Sequence, residues 1–254
     1  MYILHIIRTA GFIALLTGVE TAPARDLTAK DVIRMSDSTM RGTSSYAEIT
    51  MSIVKPEWSR EMSLKAWSLG DDYGLVLVTA PARDRGSVTL KRDTEVWNWL
   101  PGIERVIKIP PSMMLQSWLG SDFTNDDLVK ESSVVNDYTH SFTADTVIDG
   151  FPCYRIIMIP RENAAVVWGK VVVTVTKDHF LQVRSEMYDE DGELSKVLIA
   201  DRIKRMGGRM VPARLVMEPA GKRNQRTIME YTTLQFDVSL QESFFSLQNM
   251  RLVR

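Results

Sequence analysis

"PPSMMLQSWLGSDFTNDDL", residues 110–128, changes character halfway. Its first half carries Met113, Met114, Leu115, Trp118 and Leu119 behind two prolines, and its second half is polar and acidic. No histidine or cysteine lies inside it. It is the main break in a chain that otherwise alternates with period two. Its role therefore decides how the sheet manages its second face.

The alternation is plain on both sides of the break. Ala47, Ile49, Met51 and Ile53 alternate with Glu48, Thr50 and Ser52. Met62, Leu64 and Ala66 alternate with Ser63 and Lys65. Such alternation marks half-buried strands. Further strand segments are 73–80, 86–91, 95–100, 104–109, 138–149, 153–159, 168–177, 180–189, 193–201, 209–218 and 226–236. Turn signals separate them: Gly70-Asp71-Asp72, Pro101-Gly102, Asp149-Gly150, Asp191-Gly192, Gly207-Gly208 and Pro219-Ala220-Gly221. Strands this close in sequence pair antiparallel, because parallel crossovers need a dozen or more residues. The expectation is a long antiparallel meander in one domain, with Asp191-Gly192 as a type I′ hairpin turn.

Helical pieces are few. Residues 27–41 read as an amphipathic helix with Thr28 and Asp31 at capping-box spacing and Gly42 as its stop. Two short helices are expected at 112–119 and 125–130, the second capped by Thr124 or Asn125. Ser239 and Glu242 suggest a last turn at 239–245. A sandwich, a closed barrel and a curved open barrel covered by helices all remain compatible with such a meander. Several strands are apolar on both faces: Val96 and Leu100 oppose Trp97 and Trp99, and Leu75 and Leu77 oppose Val76 and Val78. Two-sided strands need cover on both sides. The N-terminal helix and residues 110–119 are the available covers.

Composition limits the function classes. The 254-residue chain is 25% charged and 44% hydrophobic, which is globular. Its formal net charge of -1 gives no global field for nucleic acid or an anionic surface, so a charge-driven partner needs a local patch. Arg8 ends a short n-region, residues 10–19 (AGFIALLTGV) form an apolar core, and Ala22-Pro23-Ala24 gives a small-x-small cleavage pattern. This predicts a signal peptide over 1–24 and a mature chain from Arg25. The residue directly after the cleavage site is Arg25, not a cysteine. Cys153 is the only cysteine and is expected as a buried core thiol.

Chemistry-bearing motifs are missing. His140 and His179 each stand in or beside a strand without a second ligand at metal spacing. No zincin, nucleophile-elbow, phosphate-loop or dinucleotide pattern occurs. No enzyme activity, cofactor or metal is expected. The acidic run 189–193 reads as a hairpin turn, and Asp122, Asp126 and Asp127 as carboxylates at a helix start. Arg202, Lys204, Arg205, Arg209, Arg214, Lys222, Arg223 and Arg226 form one basic concentration. It is either a solvated hairpin or a docking patch for anionic lipid head groups or an acidic partner. Met113 and Met114 beside Trp118 are candidates for an adaptable apolar surface, since methionine fits irregular partners.

Three stretches carry a resemblance: "MSIVKPEWSREMSLKAWSLG" (51–70), "APARDRGSVTLKRDTEVWNWLPGIERVIKIPPSMM" (80–114) and "WLGSDFTNDDLV" (118–129). With one early helix and a mid-sheet insertion, the chain resembles the LolA/LolB-like superfamily, in its outer-membrane lipoprotein-sorting branch. The resemblance implies a mainly antiparallel, open β-barrel, expected here with about 11 strands, whose concave apolar face is covered by helices. It implies a single lipid-binding domain over 25–254 and a location in the periplasm. Residues assigned to the cavity and its cover are Met51, Ile53, Met62, Leu64, Trp97, Trp99, Met113, Met114, Leu115, Trp118 and Leu119. The implied function is a carrier that shields acyl chains of a lipoprotein or lipid on the way to the outer membrane. The implied partners are that cargo, an inner-membrane transporter and an outer-membrane acceptor, with the protein a monomer and no nucleic acid involved. The alternative is a non-transporting lipid-binding or sensory module docked to a membrane complex or exporter.

Overall fold

The structure, a computed structural model, describes residues 27–129, 134–162, 164 and 166–253. The expected signal peptide lies outside the described residues. Among those described, no helix is long and apolar enough to cross a membrane.

The chain opens with helix α1 (Ala29–Arg41). Its start is the expected capping box. Thr28 Oγ1 accepts from the Asp31 amide at 3.2 Å, and the Asp31 carboxylate accepts from the Thr28 amide at 3.2 Å. Gly42, at φ 67°, ends it, where a side chain would be strained.

Strands β1 (Ser44–Val54), β2 (Ser59–Leu69), β3 (Tyr73–Ala80), β4 (Val88–Arg92), β5 (Glu95–Leu100) and β6 (Arg105–Lys108) form a first meander. The chain then runs through residues 109–137, including helix α2 (Asn125–Val129), before the strands resume. They are β7 (Tyr138–Phe142), β8 (Thr146–Ile148), β9 (Phe151–Pro160), β10 (Lys170–Thr176), β11 (Gln182–Tyr188), β12 (Leu194–Met206), β13 (Arg209–Pro219) and β14 (Arg226–Phe236). All belong to one 14-stranded antiparallel sheet in the order β6-β5-β4-β3-β2-β1-β14-β13-β12-β11-β10-β9-β7, with β8 on β9.

Two expectations change here. The sheet has 14 strands rather than about 11, in part because 138–149 divides into β7 and β8. It is also not one continuous meander. Two meanders join through β1 and β14, the first and last strands, whose register runs from Ser45↔Phe236 to Val54↔Arg226. The sheet stays open, with β6 and β7 at its two edges. Residues 109–137 therefore connect one edge to the other.

One face of the sheet, called inner below, packs beneath α1 and the crossing segment. α1 buries Ala29, Val32 and Ile33 against Tyr138, Ile156, Met158, Val171, Val173 and Val175. The outer face of β3–β5 has a cover the sequence reading missed. Leu75, Leu77, Val88 and Leu90 lie under Phe245, Met250 and Val253 of the C-terminal segment. That segment holds two short 3-10 turns, Glu242–Phe244 and Asn249–Arg251, and its first turn has no side-chain cap, so the Ser239–Glu242 box does not form.

Cys153 is buried beside Leu181 and Val183, and its thiol donates to the Phe151 carbonyl at 3.2 Å. Burial pushes its pKa up, which disfavours the reactive thiolate.

The β11–β12 turn differs in type from the one expected. The Gly192 amide donates to the Asp189 carbonyl at 3.2 Å, and only Gly192, at φ 85°, is left-handed in this turn. A type I′ turn needs two such residues. Here a four-residue turn ends in a glycine, and the register with β12 shifts next to it. A Cβ on Gly192 meets nothing within 4 Å, so the only penalty for a side chain is backbone strain. Gly192→Val should lower stability by about 1–2 kcal/mol, read as a reduced melting temperature. An unchanged melt would mean that the turn relaxes to another conformation.

Candidate functional site

The crossing segment is not the pair of helices its composition suggests. Residues 112–119 form no continuous helix; they contribute two 3-10 turns, Pro111–Met113 and Trp118–Gly120. The reason is hydrogen bonding. The Trp118 amide donates to the Phe123 carbonyl at 2.8 Å, Asn125 to Gln116 at 3.0 Å, and Asp126 to Met114 at 2.8 Å. The segment pairs with itself as an irregular hairpin, so those groups are unavailable to a helix. α2 follows, capped by Thr124. Asp127 donates its amide to Thr124 Oγ1 at 3.2 Å and accepts from the Thr124 amide at 2.7 Å.

The hairpin inserts its aromatic residues into the sheet. Trp118 is 2% exposed and Phe123 7% exposed, packed against Met51, Ile53, Met62 and Leu64 of the inner face. The indole is also held by its polar atom. Nε1 donates to Thr89 Oγ1 at 3.0 Å, and Thr89 donates on to Asn98 Oδ1 at 2.8 Å. Leu119 packs on the same cluster at φ 53°, a conformation leucine resists, and its carbonyl accepts from Arg60.

Two buried ion pairs fasten the segment. The Asp122 side chain is 4% exposed and Lys55, its partner at 2.6 Å, is 14% exposed. Asp122 also accepts from Gln225 Nε2 at 2.7 Å and from Thr227 Oγ1 at 2.8 Å. The same Thr227 hydroxyl accepts from the Asp122 amide at 2.8 Å. Asp127 pairs with Lys196 of β12 at 2.5 Å, and that ammonium sits 4.9 Å from the centre of the Trp168 ring. Asp122 and Asp127 are thus fasteners to the sheet. Asp122 lies outside any helix start, contrary to expectation.

The predicted cavity residues divide. Met51, Ile53, Met62, Leu64, Trp118 and Leu119 come together on the inner face. Met113 and Met114 lie near the β6 edge, half-buried on Val96 and Ile109. Leu115 points out and is 57% exposed. Trp97 and Trp99 are not on this face. Strand alternation turns Val96 and Asn98 inward and both tryptophans outward, beneath the C-terminal segment, where Arg251 stands 5.5 Å from the Trp99 ring.

The basic residues divide as well. Arg202, Lys204, Arg205 and Arg209 flank the β12–β13 turn, whereas Lys222, Arg223 and Arg226 lie at the other end of the 11-residue β13, about 35 Å away by strand rise. The structure does not bring them into one patch. The first group is also partly neutralised, with Arg202 paired to Glu230 and Arg209 to Asp237.

The histidines are apart. His140 Nε2 is 2.7 Å from the Val134 carbonyl, and burial draws its pKa down. His179 stands in the β10–β11 turn and lines a cavity of about 340 Å³ with Ser38, Thr39, Arg209 and Met210. A second cavity, about 450 Å³, lies within the C-terminal segment, between Ser239 and Leu252. Neither is lined by the apolar residues of the inner face.

An open antiparallel sheet joined through its first and last strands, with one face covered by α1 and a crossing segment, invites comparison with solved structures. A DUF1329-family protein from Desulfovibrio piger superposes with a TM-score of 0.80 at 25% identity, over 87% of this chain and 97% of that one. A domain described as outer-membrane lipoprotein-sorting, from Vibrio parahaemolyticus, gives 0.78 at 21% identity, over 88% and 98%. A LolA-superfamily protein from Nitrosomonas europaea gives 0.73 at 21% identity, over 87% and 98%. The fold is that of the LolA superfamily. A family model whose description reads "Uncharacterized protein" matches residues 70–252, and the chain belongs to that family. Comparison with curated proteins finds no match. Within this fold the crossing segment is held by the Trp118 insertion and by the Asp122 and Asp127 fasteners. Lys55, Arg60, Lys196, Gln225 and Thr227 are the functional residues that sequence reasoning missed. Each acts through a partner some 60 to 105 positions away.

Proposed function

We propose that this chain is a periplasmic carrier that shields acyl chains of a lipoprotein or lipid during transfer towards the outer membrane. One observation carries the reading. The apolar inner face is covered on this side by a crossing segment, not by a second sheet, and that segment is fastened by a few polar contacts. A second sheet would make the face permanent core. A segment held at Asp122 and Asp127 is a cover that can be exchanged for a ligand. The physical need is clear: each CH₂ buried is worth about 0.8 kcal/mol, so a 16-carbon chain costs about 12 kcal/mol to hold in water. The LolA-like fold of the lipoprotein-sorting neighbour supports the same class of ligand. The reading includes export by cleavage near Ala24 and assigns no catalytic role to any residue.

The test pairs a thermal melt with uptake of a fluorescent fatty-acyl probe, on wild type and Met114→Lys. Met114 is half-buried at the margin of the inner face, so a lysine there can extend its ammonium to water. The expected folding loss is below about 1 kcal/mol. Acyl uptake should fall at least tenfold, because the incoming chain must displace or desolvate that charge. Organic extracts of the natively purified protein should contain an acyl lipid. A wild-type protein that takes up no acyl probe would overturn the carrier reading.

A further inference from the structure

The turns at one end of the sheet carry a surface feature that the cover does not use. Register places four of them on the same rim: β1–β2 (55–58), β3–β4 (81–87), β5–β6 (101–104) and β13–β14 (220–225). Neighbouring turns come close: a Cβ on Gly86 would lie 3.6 Å from Pro101, and Arg60 meets Asp84 at 3.6 Å. On or beside these turns Arg83, Arg85, Arg105, Lys222, Arg223 and Arg226 are exposed. Among the described residues, none of the six has an ion-pair partner. Glu57, Glu61, Glu104 and Glu218 are the exposed carboxylates nearby, fewer than the six cations, so the rim stays positive. Two large apolar side chains project from the same turns, Trp58 at 49% exposure and Ile103 at 58%.

The opposite ends of the same strands are different. There the β2–β3 turn carries Asp71 and Asp72, and the β4–β5 turn carries Asp93. The first meander is therefore polarised end to end, although the chain as a whole is nearly neutral. On the basic rim the patch stops at the β11–β12 turn, where Asp189, Glu190 and Asp191 reverse the sign.

We propose that this rim docks onto an anionic membrane surface, with Trp58 and Ile103 entering the head-group region and the six cations lying over lipid phosphates. The inference goes beyond the carrier reading and holds for any function that places this protein at a bilayer. Unpaired cations near an anionic leaflet are attracted by its surface potential. Indole is the side chain most suited to the water–lipid interface, with an apolar body and one donor. The shape decides between partners. The feature sits on four projecting turns spread along a rim, whereas an acidic protein partner would be met by a buried, complementary anchor pocket. An extended planar surface meets all four turns at once.

The experiment is co-sedimentation of the full chain, as the cell processes it, with phosphatidylcholine vesicles containing or lacking phosphatidylglycerol. Partition should require the anionic lipid and weaken with salt. The triple variant Lys222→Gln, Arg223→Gln, Arg226→Gln should lose about 100-fold in partition, and Trp58→Ser should lose less. Acyl-probe uptake by the triple variant should match wild type, which separates a failed docking surface from a failed carrier. Equal partition onto both vesicle types, or undiminished binding by the triple variant, overturns the proposal. So does capture by soluble polyglutamate without vesicle binding, which would assign the rim to an acidic protein.

Discussion

Replacing Asp122 with alanine should lower folding stability by about 3–5 kcal/mol, the largest single effect expected on the fastening of the crossing segment. Asp122 is the hub of four contacts, three of them at its carboxylate: Lys55, Gln225 and Thr227 donate to the carboxylate, while the Asp122 amide donates to Thr227. Thr227 is fully buried, and only 14% of the Lys55 side chain is exposed. Removing the carboxylate leaves an ammonium short of solvent and two neutral donors without an acceptor. For a domain of this size the melt should fall by about 10 °C. The double variant Asp122→Ala, Lys55→Met should recover much of that loss, because it removes the stranded charge. A fall of less than about 2 °C for the single variant would show that the loop relaxes and hydrates Lys55 freely. In that case Asp122 is no fastener, and the cover is held by apolar packing alone.

The contrast between what was legible and what was not follows the range of the interactions. Strands were read from alternation inside six or eight residues, and α1 from a capping box four residues long; both are local signals and both appear in the structure. The pairing of β1 with β14 is not local. Its partners lie 172 to 191 positions apart, and no pattern in either strand names the other. The crossing segment was recognised by composition, yet its conformation was misread. Met113, Met114, Leu115 and Trp118 look helical by spacing, but prolines 110 and 111 and the pairing of residues 114–118 with 123–126 settle it as an irregular hairpin. Trp97 and Trp99 were placed in the cavity because they are large and apolar. Their alternation with Val96 and Asn98 is legible in sequence, but which parity faces inward depends on the cover each side receives. The C-terminal segment supplied that missing cover through Phe245 and Met250. The basic run looked like a single patch in sequence and is divided by the length of β13.

Trp118→Ala should lower stability by about 3–5 kcal/mol and, in the same protein, tighten acyl binding at least tenfold. The two effects share one cause. The indole fills the space above Met51 and Met62 and is tied to Thr89 through Nε1 at 3.0 Å. Removing it deletes a large buried side chain and leaves an apolar cavity. Thr89 keeps its acceptor at Asn98, so no polar group is stranded and the folded state survives. For a carrier, the covered state competes with ligand. Its apparent Kd is the intrinsic value divided by the fraction of molecules with the face free. Taking away the residue that occupies the face raises that fraction. Trp118→Phe should behave in between, since it keeps most of the apolar fill but loses the tie to Thr89. The measurement is acyl-probe titration beside a thermal melt for the three proteins, at a temperature where all are folded. If the inner face were ordinary core, Trp118→Ala would lower the melt and leave probe binding as weak as in wild type. That outcome would assign the crossing segment to the permanent core of the domain and remove the site to which an acyl chain has been assigned.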